Sequence, residues 1–103
     1  MGEPMRIRAT MQGEVVNVRV LMAHIMETGY RNDESGKSIP AHFIQTVSVT
    51  HGDRTVLAAQ WGRAVARNPY LEFRFKGGAK GDKLIVTWVD NAGDRRTDEA
   101  VIG

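Results

Sequence analysis

Residues 71–76 read Leu71-Glu72-Phe73-Arg74-Phe75-Lys76. Apolar and charged side chains alternate without a break, which is the period of a half-buried β-strand and of no helix. Past a connection made of Gly77-Gly78-Ala79-Lys80-Gly81-Asp82 comes Leu84-Ile85-Val86-Thr87-Trp88-Val89, a nearly continuous apolar run of strand length. Two strong strands joined by a glycine-rich turn predict a hairpin.

The same period recurs outward from this pair. Residues 6–11 set Ile7, Ala9 and Met11 against Arg6, Arg8 and Thr10. Residues 15–22 place Val16, Val18, Val20 and Met22 on one face, with Asn17 and Arg19 on the other. Residues 43–50 are β-branched, with Phe43, Val47 and Val49 on one parity, and residues 55–59 and 96–102 are shorter or more polar strands. His51-Gly52-Asp53 and Asp90-Asn91-Ala92-Gly93-Asp94 supply turn chemistry between them. Only residues 58–67 leave room for a helical turn, and Gly62 interrupts it. Seven short strands in 103 residues predict an all-β, immunoglobulin-like sandwich of two sheets, residues 1–103 forming one domain. An OB-like barrel needs fewer, longer strands.

Composition narrows the function classes. There is no cysteine, which removes disulfides, thiolate nucleophiles and iron–sulfur ligation. The net charge is only +2, and the longest basic run is Arg95-Arg96, which argues against nucleic-acid binding. Mean hydropathy is −0.32, and no apolar run approaches the roughly 18 residues of a membrane span. The first residues carry charge throughout and do not read as a signal peptide.

Catalytic and metal chemistry find little support. His24, His42 and His51 fall on three segments with no close pair, so they read as loop anchors or surface residues and not as metal ligands. His24 and Glu27 have a helical ligand spacing, but Gly29 follows and no helix is expected there. Ser35 and Ser38 lie in a polar loop, and no G-x-S-x-G elbow occurs. The run Lys76-Gly77-Gly78-Ala79-Lys80-Gly81 lacks the P-loop pattern and reads as a turn. Trp88 shares a face with Leu84 and Val86 and reads as core; Trp61, followed by Arg63 and Arg67, marks either core edge or an exposed interface patch. One segment breaks the strand rhythm: residues 24–40, HIMETGYRNDESGKSIP, a long loop of the kind that carries function.

Four stretches resemble the SoxZ family, a subunit of the SoxYZ sulfur carrier of bacterial thiosulfate oxidation: HIMETG at 24–29, GKSIPAHFI at 36–44, NPYLEF at 68–73 and TWVDNAG at 87–93. One departure is Ile25, where the family pattern has proline after the histidine. The resemblance implies an immunoglobulin-like fold, no catalytic residues, no cofactor and no metal. It implies a partner, SoxY, whose Gly-Gly-Cys-Gly-Gly arm carries sulfur covalently. It also implies transient visits to a c-type cytochrome pair, a manganese hydrolase and a molybdenum–haem dehydrogenase. The family works in the periplasm, so export is expected bound to SoxY, which carries the signal.

The expected partner contact is Met26, Glu27, Thr28, Gly29 and Tyr30, where the resemblance is sharpest and strand rhythm fails. Gly29 permits positive φ, Met26 supplies an adaptable apolar contact, and Arg31 and Lys37 favour anionic sulfur species nearby. A purely structural role, with Met26 and Tyr30 capping one end of the sandwich, weighs equally. Val15, Leu21 and Ile85 stand off the core parity, and open sheet edges invite pairing, so self-association is expected without a partner. The alternative function is a free-standing oxyanion-binding module using the arginines.

Overall fold

A computed structural model describes residues 2–103. The strands are β1 (Arg6–Gln12), β2 (Val15–Leu21), β3 (Ile44–His51), β4 (Arg54–Gln60), β5 (Tyr70–Lys76), β6 (Lys83–Asp90) and β7 (Arg95–Val101). They form two antiparallel sheets, ordered β1-β2-β5 and β4-β3-β6-β7. No helix occurs among the described residues; of residues 58–67, where a helical turn had room, 58–60 finish β4 and 61–67 are an irregular crossover. Gly62 interrupts the stretch, and Trp61 and Val65 pack against the core from irregular backbone instead.

Register explains the core. Across the first sheet the inward rows are Ile7–Val20–Leu71, Ala9–Val18–Phe73 and Met11–Val16–Phe75. Val16, Val18 and Val20, on the central strand, are wholly buried, whereas the phenylalanines of edge strand β5 are half-buried. Val47, Val49, Leu84, Val86 and Trp88 come from the facing sheet and are sealed off from solvent. Each such side chain contributes roughly 1.5–3 kcal/mol on burial. Leu21 and Ile85 stand outward and exposed, as their parity dictates.

The chain changes sheets three times, and residues 77–82 carry it from β5 to β6, so the glycine-rich run is a sheet-to-sheet connection and not the expected hairpin, because β5 pairs β2 and β6 pairs β3. The other two changes lie at one end. Residues 22–43 carry it from β2 to β3, and residues 61–69 carry it back from β4 to β5. Beside that end β3 carries a register shift between Ile44 and Thr46 against β6. Such a bulge turns a strand and re-aims its flanking side chains. The polar stretch within residues 31–39 is an ordered small hairpin. Asp33 Oδ1 accepts the Ser35 and Lys37 N–H groups and the Ser35 hydroxyl, and Ile39 N–H donates to Arg31.

At the opposite end Gly78 lies tight against the core. A Cβ there would stand 2.6 Å from Val16 Cγ2 and 3.2 Å from Ile102 Cδ1. Gly78→Ala is therefore expected to overpack, costing about 1–3 kcal/mol, which lowers the melting temperature by roughly 4 °C or more. Gly62→Ala, with nothing within 4 Å, is expected to leave it unchanged or slightly raised. Thermal unfolding of the two variants side by side checks the packing.

Candidate functional site

The β2–β3 and β4–β5 crossovers meet over the last residue of β6. Asp90 is a 2% exposed carboxylate, and such a group is costly unless every lone pair is used. Here it is saturated. Oδ2 accepts from His24 Nε2 at 3.0 Å and His42 Nε2 at 2.7 Å, while Oδ1 accepts the Ala92 and Asp94 N–H groups at 3.0 and 2.9 Å. Burial alone pushes this carboxyl up. The hydrogen bonds from His24, His42 and the Ala92 amide outweigh it and hold the group below the usual carboxylate range.

His24 is fixed on both sides. Its Nδ1 accepts the Met26 N–H at 3.1 Å, and its ring meets His42 and Trp88 edge-on, with centroids 4.8 and 5.1 Å away. Its backbone is tied to Asn68 by two bonds, His24 N–H to Asn68 Oδ1 and Asn68 N–H to the His24 carbonyl. Met26 takes a left-handed φ of 49°, strained for a side chain of its size. The His24 bond, burial of its own side chain to 5% exposure and the Ile44 N–H directed at its sulfur hold it there.

The remaining loop follows. Glu27 and His42 exchange backbone hydrogen bonds in an isolated bridge. The Arg31 guanidinium forks onto the Glu27 carboxylate and holds it below its ordinary range, against the opposing effect of burial. Gly29 adopts φ 86°, and a Cβ there would stand 3.0 Å from Ala41 Cβ, so both conformation and space require glycine. Thr28 Oγ1 accepts the Tyr30 N–H, and Tyr30, 78% exposed, projects with Arg63 stacked 5.0 Å over its ring. Of the five expected contact residues, Met26 and Glu27 thus turn inward, Thr28 and Gly29 are half-buried, and Tyr30 alone is fully presented. Arg31 is engaged by Glu27, and Lys37 belongs to the small hairpin.

Two histidines that are 18 positions apart in sequence are brought to one carboxylate, which their separate segments did not foretell. His24, His42 and Asp90 have the composition of a metal site. The hydrogen bonds point elsewhere: with Nδ1 accepting from Met26, the His24 ring proton sits on Nε2, the atom a metal would need. His24 is not placed to exchange a proton with a substrate, because both its nitrogens are engaged, Nε2 by Asp90 and Nδ1 by the Met26 N–H. A shallow cleft of about 320 Å³ beside it is lined by both acidic and imidazole groups, among them Glu3, His24, His42 and Asp94, together with Trp88.

The comparisons place this arrangement. The family model of the sulphur oxidation protein SoxZ matches residues 5–101. The chain belongs to the SoxZ family. That makes it a sulfur-oxidation protein of the Sox system and a non-catalytic subunit. No curated protein matches it. Among solved structures it is similar to a superoxide reductase in the oxidized state, with a TM-score of 0.61 and 18% identity over 96% of this chain and 86% of that one. A superoxide reductase (neelaredoxin) from Archaeoglobus fulgidus in the reduced form gives 0.56 and 19% over 95% and 84%. At these identities the likeness is one of fold, and it agrees with the two-sheet sandwich.

All four SoxZ-like stretches converge at this end: His24, His42, the Asn68-Pro69 turn, and Asp90-Asn91. Asn91 ties the cluster further, accepting the Phe43 N–H through Oδ1 and donating to the Ala41 carbonyl through Nδ2. Asp90→Ala, which strands two imidazoles and two amides, is expected to cost about 3 kcal/mol or more. A carboxyl held below its unfolded value of about 3.9 stabilises the fold above that pH. The contribution is lost as pH falls through the depressed folded value. The melting temperature of the wild type between pH 5 and 2 should therefore fall more steeply than that of Asp90→Asn. Parallel profiles would remove Asp90 from this role.

Proposed function

We propose that this chain, acting as a single domain, is the supporting half of a heterodimeric sulfur carrier. It binds SoxY, whose cysteine arm carries the sulfur intermediates of thiosulfate oxidation. The observation that carries this reading is the SoxZ match over residues 5–101. The composition agrees: 103 residues without a cysteine offer no thiol for sulfur to ride on, so the covalent chemistry belongs to the partner. The heterodimer works in the periplasm, is exported bound through SoxY, and visits the cytochrome pair, the manganese hydrolase and the molybdenum–haem dehydrogenase.

The SoxY contact is the loop of Met26, Glu27, Thr28, Gly29 and Tyr30, with a division of labour. Met26 and Glu27 lock the backbone, Gly29 sets the bend, and Tyr30 makes the contact, backed by Arg63 and by Ile25, which is 47% exposed. A tyrosine on a rigid loop beside an arginine is the composition of an interface anchor.

Co-expression with SoxY followed by size exclusion should yield a one-to-one complex. Tyr30→Ala with Arg63→Ala should weaken it by roughly 2 kcal/mol, about thirty-fold, with the melting temperature within a few degrees of wild type. Unchanged affinity would dismiss the loop while leaving the heterodimer intact. After turnover with thiosulfate, intact-mass spectrometry should find the sulfur adduct on SoxY and none on this chain.

A further inference from the structure

The outward face of β1-β2-β5 is a grid of four rows fixed by strand register: Arg6–Leu21–Tyr70, Arg8–Arg19–Glu72, Thr10–Asn17–Arg74 and Gln12–Val15–Lys76. It holds five cations and one acid, a net of +4. The nine cations and eleven acids elsewhere in the chain net −2, so a nearly neutral protein carries its whole positive excess on one flat face. Glu72 is paired with Arg19. Arg6, Arg8, Arg74 and Lys76 are exposed and make no ion pair among the described residues. Glu14, in the β1–β2 turn, lies only at the rim.

Two features at the centre of the grid work against the fold. Arg8 and Arg19 are direct cross-strand partners, and like charges so placed are destabilising. Asn17, 4% exposed, has no partner for Oδ1, and its amide reaches Gln12 only at 3.5 Å. Threonine or valine would serve this central strand better. The end row adds exposed Leu21 and Tyr70 beside Arg6.

We infer that this face is a docking surface for an acidic protein, separate from the Tyr30 loop and independent of the reading given above. Arginine forks match carboxylates two-to-two, and a carboxylate set between Arg8 and Arg19 removes their repulsion. The leucine–tyrosine–arginine row has the composition of a protein contact. Stacking of nucleic-acid bases would need several exposed aromatics where the grid has one. Three strands about 4.8 Å apart and four rows about 7 Å apart make a patch near the small end of interface sizes, so the complex is weak, rapidly formed and salt-sensitive.

The test titrates the full chain into fluorescein-labelled poly-L-glutamate and follows anisotropy at about 20 and about 200 mM salt. Arg8→Gln with Arg74→Gln should weaken binding about ten-fold, a change of roughly 1.4 kcal/mol, and flatten the salt dependence. Lys80→Gln with Arg95→Gln removes the same charge from elsewhere and should shift binding by less than about two-fold. Equal losses in the two pairs would reduce the effect to bulk charge and overturn the proposal. So would tighter binding, with the same variant dependence, to oligothymidylate or to phosphatidylglycerol vesicles, since the face would then be reading phosphate. Relief of the Arg8–Arg19 repulsion should keep the melting temperature of the first pair at or above wild type. A fall of several degrees would make the cations structural and equally overturn it.

Discussion

A single buried charge organises the end of this sandwich where the chain crosses twice between its sheets. Asp90 closes β6, and its two oxygens gather one histidine from each side of the first crossover together with the backbone of the β6–β7 turn. In a low-dielectric setting such a network is worth keeping only when complete, because each missing donor leaves charge without solvation. Completeness propagates outward. His24 answers Asp90 with one nitrogen and Met26 with the other, which holds the Met26 backbone in a left-handed conformation. His42 answers Asp90 with its ring and Glu27 with its backbone, and Glu27 in turn anchors Arg31.

The consequence is a loop rigid at its base and presented at its tip. The residues that do the holding are those that look chemical, two histidines and an aspartate, and both nitrogens of His24 and both oxygens of Asp90 are taken up by hydrogen bonds. The loop residue left exposed is Tyr30, with the Arg63 guanidinium stacked on its ring. This fits a non-catalytic sulfur-oxidation subunit of the SoxZ family.

The two outer sheet faces divide differently. That of β1-β2-β5 concentrates positive charge around Arg8, Arg19 and Asn17. That of β4-β3-β6-β7 has at its centre the uncharged row Ala58–Ser48–Thr87–Thr97, with Thr87 and Thr97 sharing a hydroxyl hydrogen bond. Alternation alone allows both, because the pleat sends every second residue outward and leaves its chemistry free. One fold thereby offers a loop end, a cation-rich face and a second face with an uncharged centre without disturbing a common core.

Period-two alternation determined the strands. Leu71, Phe73 and Phe75 on one side of Glu72, Arg74 and Lys76 leave one orientation against water, and the same holds for Val16, Val18 and Val20, so all seven strands were legible within a residue or two. The glycine requirement at position 29 and the core position of Trp88 were legible for equally local reasons. The meeting of His24 with His42 on Asp90 was not. Nothing in three separate segments records that two crossovers stack over the same strand end, and a histidine's partner is set by where sheets pack, not by sequence spacing. For the same reason the choice between cap and contact at Met26, evenly open in the sequence, was decided as burial only by packing, and five scattered cations became one face. Hydrophobic periodicity is a local property that the chain carries in its order. The convergence of polar groups depends on sheet order and register, and only the packed structure supplies those.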